Sequence, residues 1–124
     1  AERILSPSDF GFHNALRQQD GTLRYIDFEY AGWDDPAKTL IDFTNQPDRI
    51  LPDHLAALFL EKTIPLFTNP AALRSRIRLL TQLYQLKWAC ICLNAFLPDR
   101  PSDPTRPLRD QLARARLSAL RAEG

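Results

Sequence analysis

The sequence predicts an α+β fold in which helices dominate. The chain has 124 residues, which suits a single domain spanning 1–124. Asp20-Gly21 is a strong signal for a tight β-hairpin, and β-branched and aromatic residues follow it. From Pro36 onward, apolar residues recur with helical spacing in about four segments. The predicted order is therefore a loop and a short hairpin, over 1–35, followed by a helical part over 36–124.

Irregular loops are predicted to surround the hairpin. Turn-forming residues dominate the stretch from Ser6 to Asn14. Residues 4–5 form a short apolar stub that is typical of a strand end, and we expect this stub to be short of partner strands. The hairpin strands are predicted at 15–18 and 22–28, and a further loop is predicted at 30–35.

Start and stop signals divide the remaining chain into helices. Pro36 suits the first turn of a helix capped by Asp34 or Asp35. A second helix is expected to open at Pro52 or Asp53, and Pro65 strains or ends it. The predicted helices cover residues 36–45, 53–65, 69–97 and 108–122.

The third predicted helix carries two adjacent apolar stripes. Its second half is apolar nearly all round, which predicts a central, buried helix. Trp33 and Trp88 are predicted core residues. In the last helix, Leu108, Leu112, Ala115 and Leu120 are expected to point inward. The first stripe comprises Leu73, Ile77, Leu80, Tyr84, Trp88, Ile91 and Ala95, and the second comprises Leu79, Leu83, Leu86, Cys90, Leu93 and Leu97.

The charge balance argues against a nucleic acid or anionic membrane partner. The formal net charge is +1, so composition provides no electrostatic attraction to either. The charges are unevenly distributed, however. Residues 1–42 carry eight acids and four bases, whereas residues 43–124 carry seven acids and twelve bases. The acidic part also holds the candidate chemistry.

The two cysteines indicate a reducing compartment. Cys90 and Cys92 stand two positions apart in an apolar helix, so they point to different faces and cannot pair. Two unpaired thiols and no recognisable signal peptide predict a cytoplasmic protein. The most apolar run, 88–97, is too short to span a bilayer, so we expect no membrane association.

Carboxylates and an amide form a chemically suggestive pattern near the start of the chain. Asp9 is followed five residues later by Asn14, and the hairpin then ends in Ile-Asp-Phe-Glu at 26–29. A hairpin can bring the second Asp beside Asn14. Phosphoryl transfer uses a carboxylate that accepts the proton of the attacking hydroxyl and Mg²⁺ held by oxygen ligands. The spacing matches the D-x-x-x-x-N pattern of kinase catalytic loops, with a metal-binding Asp on a later loop.

Two stretches carry a family resemblance. Ser-Pro-Ser-Asp-Phe-Gly-Phe-His-Asn-Ala-Leu at 6–16 and Ile-Asp-Phe-Glu-Tyr-Ala-Gly-Trp-Asp-Asp-Pro at 26–36 resemble the aminoglycoside phosphotransferase and choline kinase-like family. The diagnostic part covers residues 5–43, about a third of the chain. The resemblance implies the C-terminal lobe portion of a protein-kinase-like fold. It also implies an ATP-dependent kinase that transfers the γ-phosphate to a hydroxyl of a small molecule.

The resemblance assigns roles to individual residues. Asp9 would be the catalytic base, and Asn14 and Asp27 would bind Mg²⁺. Glu29 would be a further metal-site carboxylate, and Asp42 would be a structural acid that holds the loop. ATP would be the phosphoryl donor.

The sequence also departs from that family. Pro7 stands where the family usually has His, and Thr39 stands where it often has Asp. The glycine-rich loop and phosphate-binding lysine are absent, and they would belong to an N-terminal nucleotide lobe preceding residue 1. We therefore expect the chain by itself to lack kinase activity. Apolar surface that should meet that lobe would promote self-association.

Other interpretations remain for the whole chain and for single residues. Pro7 and the missing lobe also fit a non-catalytic, pseudokinase-like binding or scaffold module, and a Mg²⁺-dependent phosphohydrolase is a third, weaker alternative. Asp9 alone suits a turn cap. A lone Asp27 buried at a strand end would be costly, which favours the metal role. Single-residue alternatives are a loop contact for His13, solvation for Glu29, and core packing or a substrate contact for Tyr30.

Overall fold

A computed structural model describes residues 2–46, 51–99 and 104–122, with side chains up to residue 120. Within these ranges the fold is mixed α+β, as predicted, with two small antiparallel sheets and four α-helices. The chain divides into two compact units, Ala1–Leu80 and Thr81–Gly124. The assignment of 1–124 to a single domain stays a prediction. The strands are β1 Ile4–Ser6, β2 Ala15–Arg17, β3 Leu23–Tyr25 and β4 Gly32–Asp34; the helices are α1 Pro36–Thr44, α2 Asp53–Thr63, α3 Pro70–Leu93 and α4 Arg106–Ala122.

The predicted hairpin is confirmed, with shorter strands than expected. β2 and β3 pair antiparallel, with Ala15 opposite Tyr25. The N–H of Gln18 donates to the carbonyl of Thr22 at 2.8 Å, and Gly21 has φ +86°, a left-handed conformation that favours glycine. The hydroxyl and N–H of Thr22 donate to the carboxylate of Asp20 and lower its pKa. The turn chemistry of Asp20-Gly21 therefore set the position of the hairpin.

A second two-stranded sheet corrects three predictions. β1 pairs antiparallel with β4, with Leu5 opposite Trp33. The stub at 4–5 therefore has a partner strand, and the predicted loop at 30–35 contains a strand. Trp33 is 72% exposed and is not a core residue. The cross-strand pair of Leu5 and Trp33 lies on the outward face, because both side chains are largely exposed.

Helix α1 forms the centre of the first unit. Asp35 is its N-cap and accepts a hydrogen bond from the N–H of Ala37 at 2.9 Å, and Pro36 occupies the first turn, as predicted. The helix buries nearly all its side chains, and buried residues of the following segments complete the core. These apolar core residues are Ala37, Leu40, Ile41, Phe43, Ile64, Leu73 and Ile77.

Helix α2 lies on the surface and ends before its proline. None of its residues is fully buried, although the ring of Phe59 packs against Phe43 with centroids 4.3 Å apart. The α-helix ends at Thr63, and the chain continues as a 3₁₀ turn, Ile64–Leu66. Pro65 thus ends the α-helical ladder by removing a backbone donor, in agreement with the sequence prediction.

Helix α3 is not buried on all sides. Trp88 of the first stripe is buried, as predicted. The second stripe lies largely exposed, with Leu79 at 73% and Leu83 at 60%. The prediction of a central, buried helix is therefore wrong, because an apolar stripe is buried only where another element covers it.

The second unit packs the end of α3 against α4. Cys92, Leu112 and Ala113 form its buried cluster. Leu108 and Ala115 are exposed, so the inward face of α4 is rotated from the predicted one. Cys90 is exposed whereas Cys92 is fully buried, which confirms that the two thiols point to different faces.

None of the helices in the described ranges combines the length and the apolar character needed to cross a lipid bilayer.

Candidate catalytic and metal-binding site

Asp9 lies in the loop between β1 and β2, where a short turn folds back over its carboxylate. Phe12–Asn14 forms a 3₁₀ turn. His13 Nε2 lies 3.1 Å from Oδ2 of Asp9. The amide nitrogen of Asn14 donates to the carbonyl of Asp9 at 3.1 Å and to Oδ2 at 3.3 Å. The five-residue spacing therefore brings Asp9 and Asn14 into contact within one loop.

A third donor reaches Asp9 from the end of α1. Nε2 of Gln46 donates to Oδ1 of Asp9 at 3.3 Å, and Gln46 is buried. We call His13, Asn14 and Gln46 the carboxylate clamp. Sequence reasoning missed Gln46, since 37 residues separate it from Asp9 and no local pattern links them.

Hydrogen bonds to α1 also hold the residues that precede Asp9. Ser8 has φ 66°, a left-handed conformation that is costly for a residue with a side chain. Its N–H donates to Oγ of the buried Ser6 at 3.0 Å, and the hydroxyl of Thr39 donates to the same oxygen at 3.1 Å. Nζ of Lys38 donates to Oγ of Ser8 at 3.1 Å. These contacts keep the unusual backbone conformation next to Asp9 in place.

An aromatic layer anchors the loop beneath Asp9. The ring of Phe10 lies 4.9 Å from Tyr25 of β3 and 4.9 Å from Phe43 of α1, measured between centroids. Phe12 meets Phe43 edge to face at 5.2 Å. The loop is thereby fastened to both the hairpin and α1. Burial also raises the pKa of Tyr25.

The hairpin brings the second acidic segment beside Asn14. The N–H of Ile26 donates to the carbonyl of Asn14 at 2.9 Å, which extends the β2–β3 ladder by one pair. Asp27 follows directly and has φ 64°. Asp9, Asn14 and the start of the 26–29 segment are consequently neighbours, although 17 positions separate Asp9 from Ile26 in the sequence.

Asp27 and Glu29 are both exposed carboxylates. The expectation that Asp27 is buried at the end of an apolar strand is wrong, because β3 ends at Tyr25 and Asp27 is exposed beyond it. Burial therefore gives no reason to expect a bound metal ion at Asp27. Among the described residues, no three His, Cys, Asp or Glu side chains form a metal-binding group. The predicted set of Asn14, Asp27 and Glu29 has only two carboxylates, with an amide as its third member.

Acidic residues downstream are paired with bases. Lys38 forms ion pairs with Asp34 and with the buried Asp42, the latter at 3.7 Å. Asp35 is paired with Arg76 as well as capping α1. The structure therefore assigns Asp34, Asp35 and Asp42 to ion pairs around α1, which leaves Asp9, Asp27 and Glu29 as the solvent-accessible acids of this region.

Apolar surface borders the loop on one side. A cavity of about 270 Å³ has Pro7, Phe10, Phe59 and Phe67 in its wall. Tyr30 is 70% exposed, so core packing, one of its two predicted roles, is wrong. Ile26 and Phe28 are exposed as well.

Comparison with known proteins identified no relative of this chain. The chain matches no family model, and it has no significant match to a curated protein or to a solved structure. The resemblance to aminoglycoside phosphotransferases and choline kinases thus rests on the motif residues themselves.

Proposed function

We propose that the chain is the catalytic-loop and metal-loop portion of an ATP-dependent small-molecule kinase. The supporting observation is the contact chain that joins Asp9 to Asn14 and Asn14 to Ile26. It brings together a candidate base, an amide and the start of a segment with two carboxylates, which are residue types that phosphoryl transfer uses for the base and the metal ion. The acceptor would be a hydroxyl of a small molecule.

Asp9 has the features of a general base in this proposal. Its two carboxylate oxygens have about four lone-pair sites, and the clamp donates to Oδ2 twice and to Oδ1 once. Its side chain stays 49% exposed. One acceptor direction is thus open to a substrate hydroxyl, while the clamp fixes the orientation of the group. The role of Asp9 is to orient that hydroxyl and take its proton as the new phosphorus–oxygen bond forms, while the bond from the γ-phosphorus to the bridging oxygen of ATP breaks and ADP leaves.

Asn14 is suited to link the base and the metal. Nδ2 of Asn14 donates to Asp9, so the amide oxygen of Asn14 points away from Asp9. Within the described part of the chain, no donor contacts this oxygen. Mg²⁺ prefers carboxylate and amide oxygens and keeps several of its waters. Asn14, Asp27 and Glu29 would hold the ion, and the ion would supply positive charge to offset that of the ATP phosphates.

A separate nucleotide-binding lobe is part of this proposal. The chain has only four glycines, and none of them forms a glycine-rich loop. A partner lobe would therefore supply the phosphate-covering loop and the lysine that this class of reaction uses. By itself the chain would bind Mg²⁺ weakly and would not turn over substrate.

A non-catalytic binding module is the second candidate, and the clamp also supports it. Three donors already engage the carboxylate of Asp9, and a carboxylate with this many donors can serve as a structural centre of its loop. In that case Mg²⁺ and nucleotide would bind without phosphoryl transfer.

One set of assays separates the candidates. The chain should be assayed alone and joined to its nucleotide-binding lobe, with ATP, Mg²⁺ and a panel of amino alcohols, aminoglycosides and sugars. Asp9→Asn is the test variant. Asp20→Asn is the matched control, because Asp20 is an exposed acid on the hairpin turn. Turnover that Asp9→Asn removes and Asp20→Asn preserves supports the kinase. Nucleotide binding without turnover supports the binding module, whereas the absence of nucleotide binding at millimolar concentration contradicts the kinase and favours a scaffold role.

A further inference from the structure

We infer that His13 and Gln46 are positioning residues that fix the carboxylate of Asp9, and that Gly11 provides the space they need. The inference rests on the proposed function, because it treats Asp9 as the base. It adds three residues for which the motif resemblance implies no role.

The two residues restrain different oxygens from different elements. His13 holds Oδ2 from the local turn at 3.1 Å, and Gln46 holds Oδ1 at 3.3 Å from the end of α1. Restraint of both oxygens prevents rotation of the carboxylate plane about the Cβ–Cγ bond. Asn14 alone contacts only Oδ2 and the backbone carbonyl, so it cannot do this.

The His13 ring has a single polar contact within the described ranges. An ionised carboxylate can only accept hydrogen bonds, so the ring nitrogen facing Asp9 carries the proton. The other nitrogen, Nδ1, is buried and has no hydrogen-bond partner among the described residues. A buried polar atom without a partner is unfavourable. The bond from Nε2 to Asp9 is thus the polar interaction that orients this ring.

Gly11 is required by space and not by backbone conformation. Its φ of −174° is extended backbone that any residue adopts. A Cβ at this position, however, would lie 2.7 Å from both Cε1 and Nδ1 of His13 and 3.0 Å from Cγ of Gln46. Any larger residue would displace the two positioning side chains together. This is the physical link between Gly11 and Asp9.

A purely packing role for His13 predicts different behaviour. In that case the ring fills space, and a ring of similar shape without a donor would serve equally well. Only the positioning role requires the hydrogen bond from His13 to Asp9 for activity.

The first experiment uses the ring-nitrogen NMR spectrum of the purified 124-residue chain labelled with ¹⁵N. The sequence has two histidines, and the exposed His54 on α2 is an internal reference. We expect the spectrum to show a proton on Nε2 of His13, and we expect this preference to be lost in Asp9→Ala while the signals of His54 are unchanged. A tautomer mixture at His13 equal to that of His54 in the wild type would overturn the inference.

The second experiment measures kcat and KM in the form joined to its nucleotide-binding lobe. His13→Phe keeps a ring but removes the donor. It should lower kcat by roughly tenfold or more, as expected when a reacting group is misplaced, with little change in the KM for ATP. His13→Gln retains a donor near the Nε2 position and should recover most of kcat. Equal kcat for the wild type and His13→Phe, in a protein that Asp9→Asn inactivates, would refute the positioning role.

Gly11→Ala provides an independent arm with its own control. Gly11→Ala should lower kcat as His13→Phe does. The loss of kcat caused by Gly11→Ala should be smaller in a protein that already carries His13→Ala, because the imidazole ring that the new Cβ would contact is absent. Gly32→Ala is the matched control, because a Cβ there meets nothing within 4 Å. Turnover that Asp9→Asn leaves intact would refute the proposed function, and the NMR spectrum would still decide whether His13 holds that carboxylate.

Discussion

The two acidic segments of the candidate site are built in opposite ways. Around Asp9, every neighbouring turn is tied to α1 or to the hairpin by side-chain hydrogen bonds and stacked rings. The segment 26–31 has exposed side chains throughout. Neither Asp27 nor Glu29 has a side-chain hydrogen bond or ion pair among the described residues.

This difference indicates which of the two carboxylate groups needs a fixed orientation before substrate binds. A base must be held in one orientation before the substrate arrives, because misplacement by about 1 Å can cost about 100-fold in rate. Metal carboxylates can stay hydrated until the cation arrives and orders them, since Mg²⁺ accepts water as well as protein ligands. The structure is consistent with a division of this kind between Asp9 and Asp27.

The largest expected effect is at Asp9. Asp9→Asn should reduce phosphoryl transfer by about 100- to 10,000-fold, the usual contribution of a general base, and should leave Mg-ATP affinity nearly unchanged. Single-turnover kinetics and isothermal titration on the chain joined to the proposed nucleotide-binding lobe measure the two quantities. A loss of less than about tenfold would remove Asp9 from the role of base.

The second effect concerns the exposed segment. Asp27→Ala should weaken Mg-ATP binding by about tenfold, or about 1.4 kcal/mol, because a metal carboxylate acts on the ground-state complex too. Titration of Mg-ATP into wild type and variant provides the comparison. Asp53→Ala, at an exposed acid of α2, controls for loss of charge. Equal affinities in wild type and Asp27→Ala would give Asp27 no part in metal binding.

A third effect distinguishes Ser8 from Asp27, the two described residues other than glycine that adopt left-handed conformations. Asp27→Gly should stabilise the chain by about 0.5 kcal/mol, because relief of roughly 1 kcal/mol of backbone strain exceeds the added entropy of the unfolded state. Ser8→Gly relieves similar strain, but it also removes the hydroxyl that accepts a hydrogen bond from Lys38. We therefore expect no net gain in stability. Urea unfolding at neutral pH measures both variants. Stabilisation by Ser8→Gly as large as that by Asp27→Gly would show that the Lys38 contact contributes nothing.

The smallest effect concerns the aromatic layer. Burial raises the pKa of Tyr25 above its ordinary value of 10.0, so the folded state favours the neutral phenol. This contribution to stability is complete below about pH 10 and is lost as the pH rises through the folded-state pKa. Tyr25→Phe should therefore reduce the alkaline loss of stability. Unfolding curves between pH 8 and 11 check this, with Tyr30→Phe as a control for hydroxyl removal. An identical alkaline slope for Tyr25→Phe and the wild type would contradict the prediction.

Local patterns predicted the parts of the fold that local chemistry decides. Asp20-Gly21 located the hairpin, Asp35-Pro36 located the start of α1, and Pro65 located the end of α2. Strand β4 was missed, because three residues are too few for an alternating pattern and β4 exists through its pairing with β1. Trp33 was assigned to the core by residue type, whereas its position opposite Leu5 places it on an exposed face.

The same division applies to the candidate site. The spacing singled out Asp9 and Asn14 as a pair, and their contact follows from that spacing because both lie in one short loop. The roles of Lys38, Thr39 and Gln46 were not predictable, since each acts across about 30 or more positions through the packing of α1. Sequence periodicity likewise showed both stripes of α3 but could not show which one is covered.

The two cysteines of α3 provide a direct reporter of local opening in the second unit. Cys90 is exposed and Cys92 is fully buried against Leu112 and Ala113. A thiol-reactive dye should therefore modify Cys90 at the rate of a free thiol, while Cys92 reacts only when α4 leaves α3. The ratio of the two labelling rates gives the free energy of that separation without an engineered labelling site. A Cys90→Ser variant makes the slow reaction the only one in the chain.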